Sequence, residues 1–166
     1  MPTLLAIPTL GLLLVLQSAI FSRVTLFHGT SDLVMLALIG WAVQPRVTTA
    51  WEWGLMGGIL VSVLSALPPA AILFGYFAVI AIVHLLRKWL WRAPFLATLA
   101  AVVAGTLFTH TVDFIALRLS GSAIPLLDAL NLVTLPSLLL NLLFAIPIYG
   151  LIGDLAKWMY PAKIEM

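Results

Sequence analysis

The sequence predicts an all-α integral membrane protein, a bundle of about six transmembrane helices forming one domain over residues 1–166. Three observations carry this. Lys plus Arg number 8 and Asp plus Glu 6, so 8% of the chain is charged, against roughly a quarter in soluble domains. The hydrophobic fraction is 63% and the mean hydropathy +1.19. Prolines, glycines and charges cut the chain into apolar segments, most of them close to the roughly 20 residues that a spanning helix needs. A soluble globule and a disordered chain are both excluded, because each needs far more polar surface.

The elements follow in order. Helix 1 is expected over about residues 4–21, with no Lys or Arg before it, and reads as a retained span rather than a cleaved signal. The polar stretch His28 to Asp32 ends that segment. Asp32, or Ser31 beside it, is an N-cap for helix 2 at about 33–43, which Gln44-Pro45-Arg46 closes. At 1.5 Å per residue helix 2 is roughly 17 Å long against a hydrocarbon core of about 30 Å. It is either a half-span or borrows flanking residues. Helix 3 is expected over about 49–67, ending at Pro68-Pro69, and helix 4 over about 70–86, stopped by the basic run Arg87 to Arg92. Helix 5, about 94–117, opens on Pro94, a favourable first-turn residue. A polar loop from Arg118 to Asp128 leads to helix 6 at about 130–152, with a polar tail from Asp154.

If all six helices span, the N-terminus, the Arg46 loop, the 87–92 loop and the C-terminus share one side. That side holds Arg46, Arg87, Lys88, Arg92, Lys157 and Lys163, while the other holds Arg23 and Arg118. Basic loops stay inside, so the loop 87–92, the C-terminus and the N-terminus are expected in the cytoplasm. If helix 2 does not span, the N-terminus moves outside. All six tryptophans, Trp41, Trp51, Trp53, Trp89, Trp91 and Trp158, fall beside the basic side, where indoles favour the interface.

Polar groups at membrane depth are the candidates for chemistry. His110 and Asp113 lie three apart on one helical face. They can be read as a proton relay or partial metal site, or as an interfacial polar clamp with Arg118 nearby. No third ligand stands at a recognised spacing, and counting along the helix places Asp113 near the outer interface. Glu52 reads as a solvated helix-start acid and His84 as interfacial. Gln17 and Asn141 are deeper, and neutral amides there commonly hydrogen-bond between helices. No nucleophile and base pair or phosphate loop is visible, so no catalytic site, cofactor or metal is expected. The absence of cysteine removes thiol chemistry. The net charge of +2 does not argue for nucleic acid. Small residues recur every fourth position at Gly54, Gly58, Ser62 and Ala66 in helix 3 and at Ala97, Ala101, Gly105 and Thr109 in helix 5. Such stripes admit close helix packing or a partner interface.

Four segments together resemble the rod-shape-determining MreD family of bacteria. They are Leu16-Gln17-Ser18, Ser31-Asp32-Leu33-Val34, the Gly54 to Leu60 run, and Leu138 to Leu143 with Asn141 followed by Ile146-Pro147-Ile148-Tyr149. Two positions depart from that pattern: Ser31 stands where the family usually has proline, and Ser62 where many members have aspartate. The resemblance implies a non-enzymatic inner-membrane component of the elongasome. Such a component serves cell shape and peptidoglycan synthesis. Its implied partners are the bitopic protein MreC, RodA with the elongation-type penicillin-binding protein, and MreB filaments on the cytoplasmic side; from the residues themselves, the basic Arg87 to Arg92 loop and the Lys157 to Lys163 tail read as meeting anionic lipid. A rival of another class is the substrate-binding membrane subunit of an energy-coupling-factor vitamin transporter. The Ala-x-x-x-Ala pattern of its first helix is missing here, where Ala6 and Ala19 are the alanines of helix 1.

Overall fold

The computed structural model describes residues 3–19, 26–90 and 92–161. The described residues are all-helical: α1 (Ala6–Ala19), α2 (Leu33–Ala42), α3 (Ala50–Leu64), α4 (Pro69–Trp89), α5 (Pro94–Leu119) and α6 (Leu126–Met159). Helices α4, α5 and α6 are long and apolar enough to cross a membrane, while α1, α2 and α3 are shorter apolar helices. This is compatible with a helical membrane protein, and six helices fit the expectation.

Helix α2 is the centre of the bundle. All ten of its residues are buried, as a helix apolar on every side requires. It packs against α1, α3, α4, α5 and α6. The alternatives for helix 2 thus resolve in favour of a short one: it takes in none of the flanking residues, and at ten residues it is roughly 15 Å long.

The small-residue stripes are taken up inside the chain. A Cβ on Gly54 would meet Ile80, one on Gly58 would meet Leu73, and one on Gly57 would lie against Val34, Leu38 and Leu10. Gly54 and Gly58 therefore let α3 close on α4, and Gly57 lets it close on α2. Ser62 is half-buried and returns its hydroxyl to the Ile59 carbonyl at 2.7 Å. Ala66 lies beyond the end of α3. On α5, Ala97, Ala101, Gly105 and Thr109 are all buried, with Gly105 against Val79 and Ile39 and Thr109 against Gly75.

One end of the bundle gathers four parts of the chain. Arg46 Nη1 donates to the Tyr160 carbonyl at 3.3 Å, Thr49 and Tyr160 share a hydroxyl contact at 3.3 Å, and Arg87 Nη1 donates to the Ala42 carbonyl at 2.8 Å. The Thr3 hydroxyl donates to Glu52 at the same end. The start of α1, the α2–α3 turn, the end of α4 and the end of α6 therefore lie together.

Four expectations change. The last helix runs from Leu126 to Met159, longer than 130–152 at both ends. Its early part, Ala129–Thr134, is π-wound, and its last turns absorb the supposed tail, where Lys157 pairs with Asp154 at 2.8 Å. Helix 3 stops at Leu64, short of residue 67, and helix 4 reaches Trp89, beyond residue 86. Not every tryptophan faces outward: Trp41 and Trp53 are fully buried and stacked with centroids 4.0 Å apart. Trp51, Trp89 and Trp158 are exposed at that end, and Trp91 lies outside the described residues.

The segment before α2 is fastened to α6. His28 N–H donates to the Leu132 carbonyl at 3.0 Å and Thr30 N–H to Ser137 Oγ at 3.0 Å. Between them Gly29 is pressed on α6 so closely that a Cβ would lie 2.6 Å from the Ser137 nitrogen and 2.7 Å from Pro136 Cβ. Backbone at that distance cannot yield as a side-chain tip can. Gly29→Ala is expected to destabilise by the overpacking cost of about 1–3 kcal/mol. Gly11→Ala, with nothing within 4 Å of its Cβ position, should stabilise by up to about 1 kcal/mol through helix propensity. Thermal unfolding in one detergent checks both, and equal midpoints for the two variants would contradict the packing described.

Candidate functional site: the polar cluster at the head of α2

A helix leaves its first four N–H and last four C=O groups without internal partners. For a buried helix those groups must find protein atoms. At the start of α2, Leu33 N–H donates to Gln17 Oε1 at 2.7 Å and Val34 N–H to the same oxygen at 3.4 Å. Met35 N–H donates to Asp32 Oδ1 at 2.9 Å and Leu36 N–H to the Asp32 carbonyl at 3.0 Å. All four are satisfied, and Asp32 is the N-cap that the sequence suggests. At the other end, Val43 N–H reaches the Ile39 carbonyl and Gln44 N–H the Trp41 carbonyl. Gln44 Nε2 reaches the Gly40 carbonyl, and Arg87 the Ala42 carbonyl. The cation at this C-terminus and the carboxylate at the N-terminus both complement the helix dipole.

The capping groups are themselves held. Tyr76 Oη donates toward both Asp32 oxygens, at 3.1 and 2.9 Å. Asn141 Oδ1 accepts from Ser31 Oγ and from Asp32 N–H, each at 2.9 Å, and its Nδ2 donates to Thr106 Oγ1 at 3.0 Å. Asn141, Thr106 and Ser31 are buried to within 1%, and no described buried side-chain N or O atom lacks a partner. Asn141 sits about midway along α6, so this network lies deep in the bundle.

Beside it is a cavity of about 90 Å³ lined by Asp32, Tyr76, His110, Asp113 and Asn141. His110 and Asp113 also line a second cavity of about 470 Å³, bounded by α5 and the start of α6. They share a face, but no hydrogen bond or ion pair joins them to each other or to Arg118. His110 Nδ1 lies 3.1 Å from Thr134 Oγ1, and that hydroxyl is 3.1 Å from the Ala129 carbonyl. The hydroxyl proton goes to the carbonyl, so Thr134 accepts from Nδ1–H and leaves Nε2 of the neutral ring as an acceptor. Arg118 turns to the Phe114 ring, 5.5 Å from its centroid, because a guanidinium finds a face there. Asp113 carries no hydrogen bond or ion pair to a described residue. No group of three metal-binding side chains occurs among the described residues.

Gln17 and Asn141 were legible as deep amides able to bond between helices. That Gln17 serves the backbone of α2 was not, since its partner lies across a polar break in the chain. Tyr76, Thr106 and Ser137 carry no signal in the sequence beyond being polar atoms in apolar runs. Glu52 and His84 lie away from the cluster, His84 stacking on Trp51 at 5.5 Å. No family model, curated protein or solved structure matches the chain.

Asn141→Leu leaves the Asp32 N–H buried and unpaired, which costs about 1–3 kcal/mol. Asp113→Asn breaks no internal bond and should stay within about 0.5 kcal/mol. Denaturant midpoints of the two variants in the same micelle check the ranking.

Proposed function

We propose that this chain is a non-enzymatic component of the bacterial cell-elongation complex, of the MreD type. In this reading it binds an MreC-like bitopic protein in the inner membrane and couples to RodA and the elongation-type penicillin-binding protein, with MreB filaments on the cytoplasmic side. The observation that carries the reading is convergence. Gln17, Asp32 and Asn141, each a polar residue of a separate segment of the resemblance, meet at the head of α2. Residues so far apart in the chain belong to one device, which holds a short helix inside the bundle. Broad apolar faces suit partners within the membrane: Leu12 and Val15 of α1, and Leu139, Leu143 and Leu151 of α6, are each at least 60% exposed. Arg46, Lys88, Arg92 and Lys157 lie at the end shared by the α2–α3 turn and the α4–α5 connection. The positive-inside rule assigns that end, with the start of α1 and the end of α6, to the cytoplasm.

The rival reading, a vitamin-binding transport subunit, has the cavities beside His110 and Asp113 in its favour. The two readings separate on affinity isolation from a bacterial membrane. The protein should co-purify with a single-span partner that has a periplasmic domain, and should show no saturable binding of thiamine, riboflavin or biotin. Tight vitamin binding without such a partner overturns the elongation reading. His110→Ala should retain the partner, whereas Gly58→Leu, which drives a side chain into Leu73, should lose it.

A further inference from the structure

We propose that the cleft between the head of α2, the outer half of α5 and the π-wound start of α6 binds an amphipathic amine, one protonated amine on a single apolar chain. This site stands apart from the elongation reading and does not depend on it.

The cleft has two chambers that meet at His110 and Asp113, since both residues line both. The inner chamber is small and mixed, with Asp32, Tyr76 and Asn141 facing Met35, Val61 and Ile72 across it. The outer chamber, about 470 Å³, is walled by Phe114, Leu117, Ile124, Leu132 and Val133. It falls within the roughly 300–1,000 Å³ of small-molecule sites, which are apolar with a few convergent polar groups. A head group at the junction and an apolar chain in the outer chamber match this division.

The charge selects the head. Asp32 and Asp113 line the inner chamber, Asp113 and Asp128 the outer one, and neither is lined by a Lys or Arg among the described residues. With Arg118 held on the Phe114 ring and not itself lining either chamber, the acidic lining favours a cation over a carboxylate or phosphate. The Asp32 oxygens are engaged by Tyr76 and the Met35 N–H, but those of Asp113 are not. An ammonium has three donors and no acceptor, and the junction offers the free carboxylate of Asp113 and the acceptor nitrogen of His110. The π winding of Ala129–Thr134 shapes the outer wall: it brings the Thr134 hydroxyl to both the Ala129 carbonyl and the His110 ring. Such winding within α-helices is frequent at functional sites.

The test uses the full chain in nanodiscs of zwitterionic lipid and a ten-carbon primary amine carrying a diazirine on its chain. Irradiation should label peptides spanning residues 114–133. Decylammonium should compete at concentrations at least tenfold below decanol, and decanoate should not compete. Asp113→Asn should weaken labelling at least tenfold while leaving the ligand-free melting temperature unchanged. Val133→Trp, which fills the outer chamber, should abolish it. Equal competition by decanol and decylammonium, undiminished labelling of Asp113→Asn, or labelling confined to the lipid-facing side of α1 would overturn the site. So would displacement by thiamine at lower concentration than by decylammonium, which points to the vitamin reading instead.

Discussion

The structure depends on one constraint: a ten-residue helix is buried on every side, and both of its ends must be satisfied by the rest of the chain. Each unsatisfied backbone group at such a depth costs several kcal/mol. Gln17 from α1, Asp32 and its Tyr76 and Asn141 supports, and Arg87 from α4 therefore stand at the two ends of α2. These contacts bring α1, α4 and α6 to fixed positions around it.

Close packing then follows from small residues rather than from polar bonds. Gly57 admits Val34 and Leu38 of α2, Gly105 admits Val79 and Ile39, and Gly29 lets the segment before α2 press against Pro136 and Ser137. Lipid tails are as apolar as leucine, so the hydrophobic effect does not drive helices together in a bilayer, and close contact has to do so. The two kinds of interaction divide the work: amides and hydroxyls set depth and register at the head of α2, and glycines set the separation of axes.

The same arrangement produces the cleft. Because α2 begins deep in the bundle, it leaves room between α5 and α6 on the side away from Arg87. His110 and Asp113 face that room, and the π-wound turn of α6 closes part of it. A shape demanded by backbone satisfaction thus leaves polar side chains beside an apolar chamber, which is the chemical contrast that an amphipathic ligand meets.

Composition and punctuation by themselves determined an all-helical chain with six apolar segments, the starts of α2 and α5, and the N-cap at Asp32, because these are local matters of hydropathy, proline and capping. Tertiary structure alone decided that the short α2 is the core, that Trp41 and Trp53 pack inside the bundle while Trp51, Trp89 and Trp158 face outward, and that α6 runs on through its polar end. It also decided that His110 bonds Thr134 instead of pairing with Asp113. Periodicity could not reveal α2 as the core, since a helix apolar all round looks alike whether protein or lipid surrounds it. The partners of its end groups lie up to about a hundred residues away, and no local pattern carries that information.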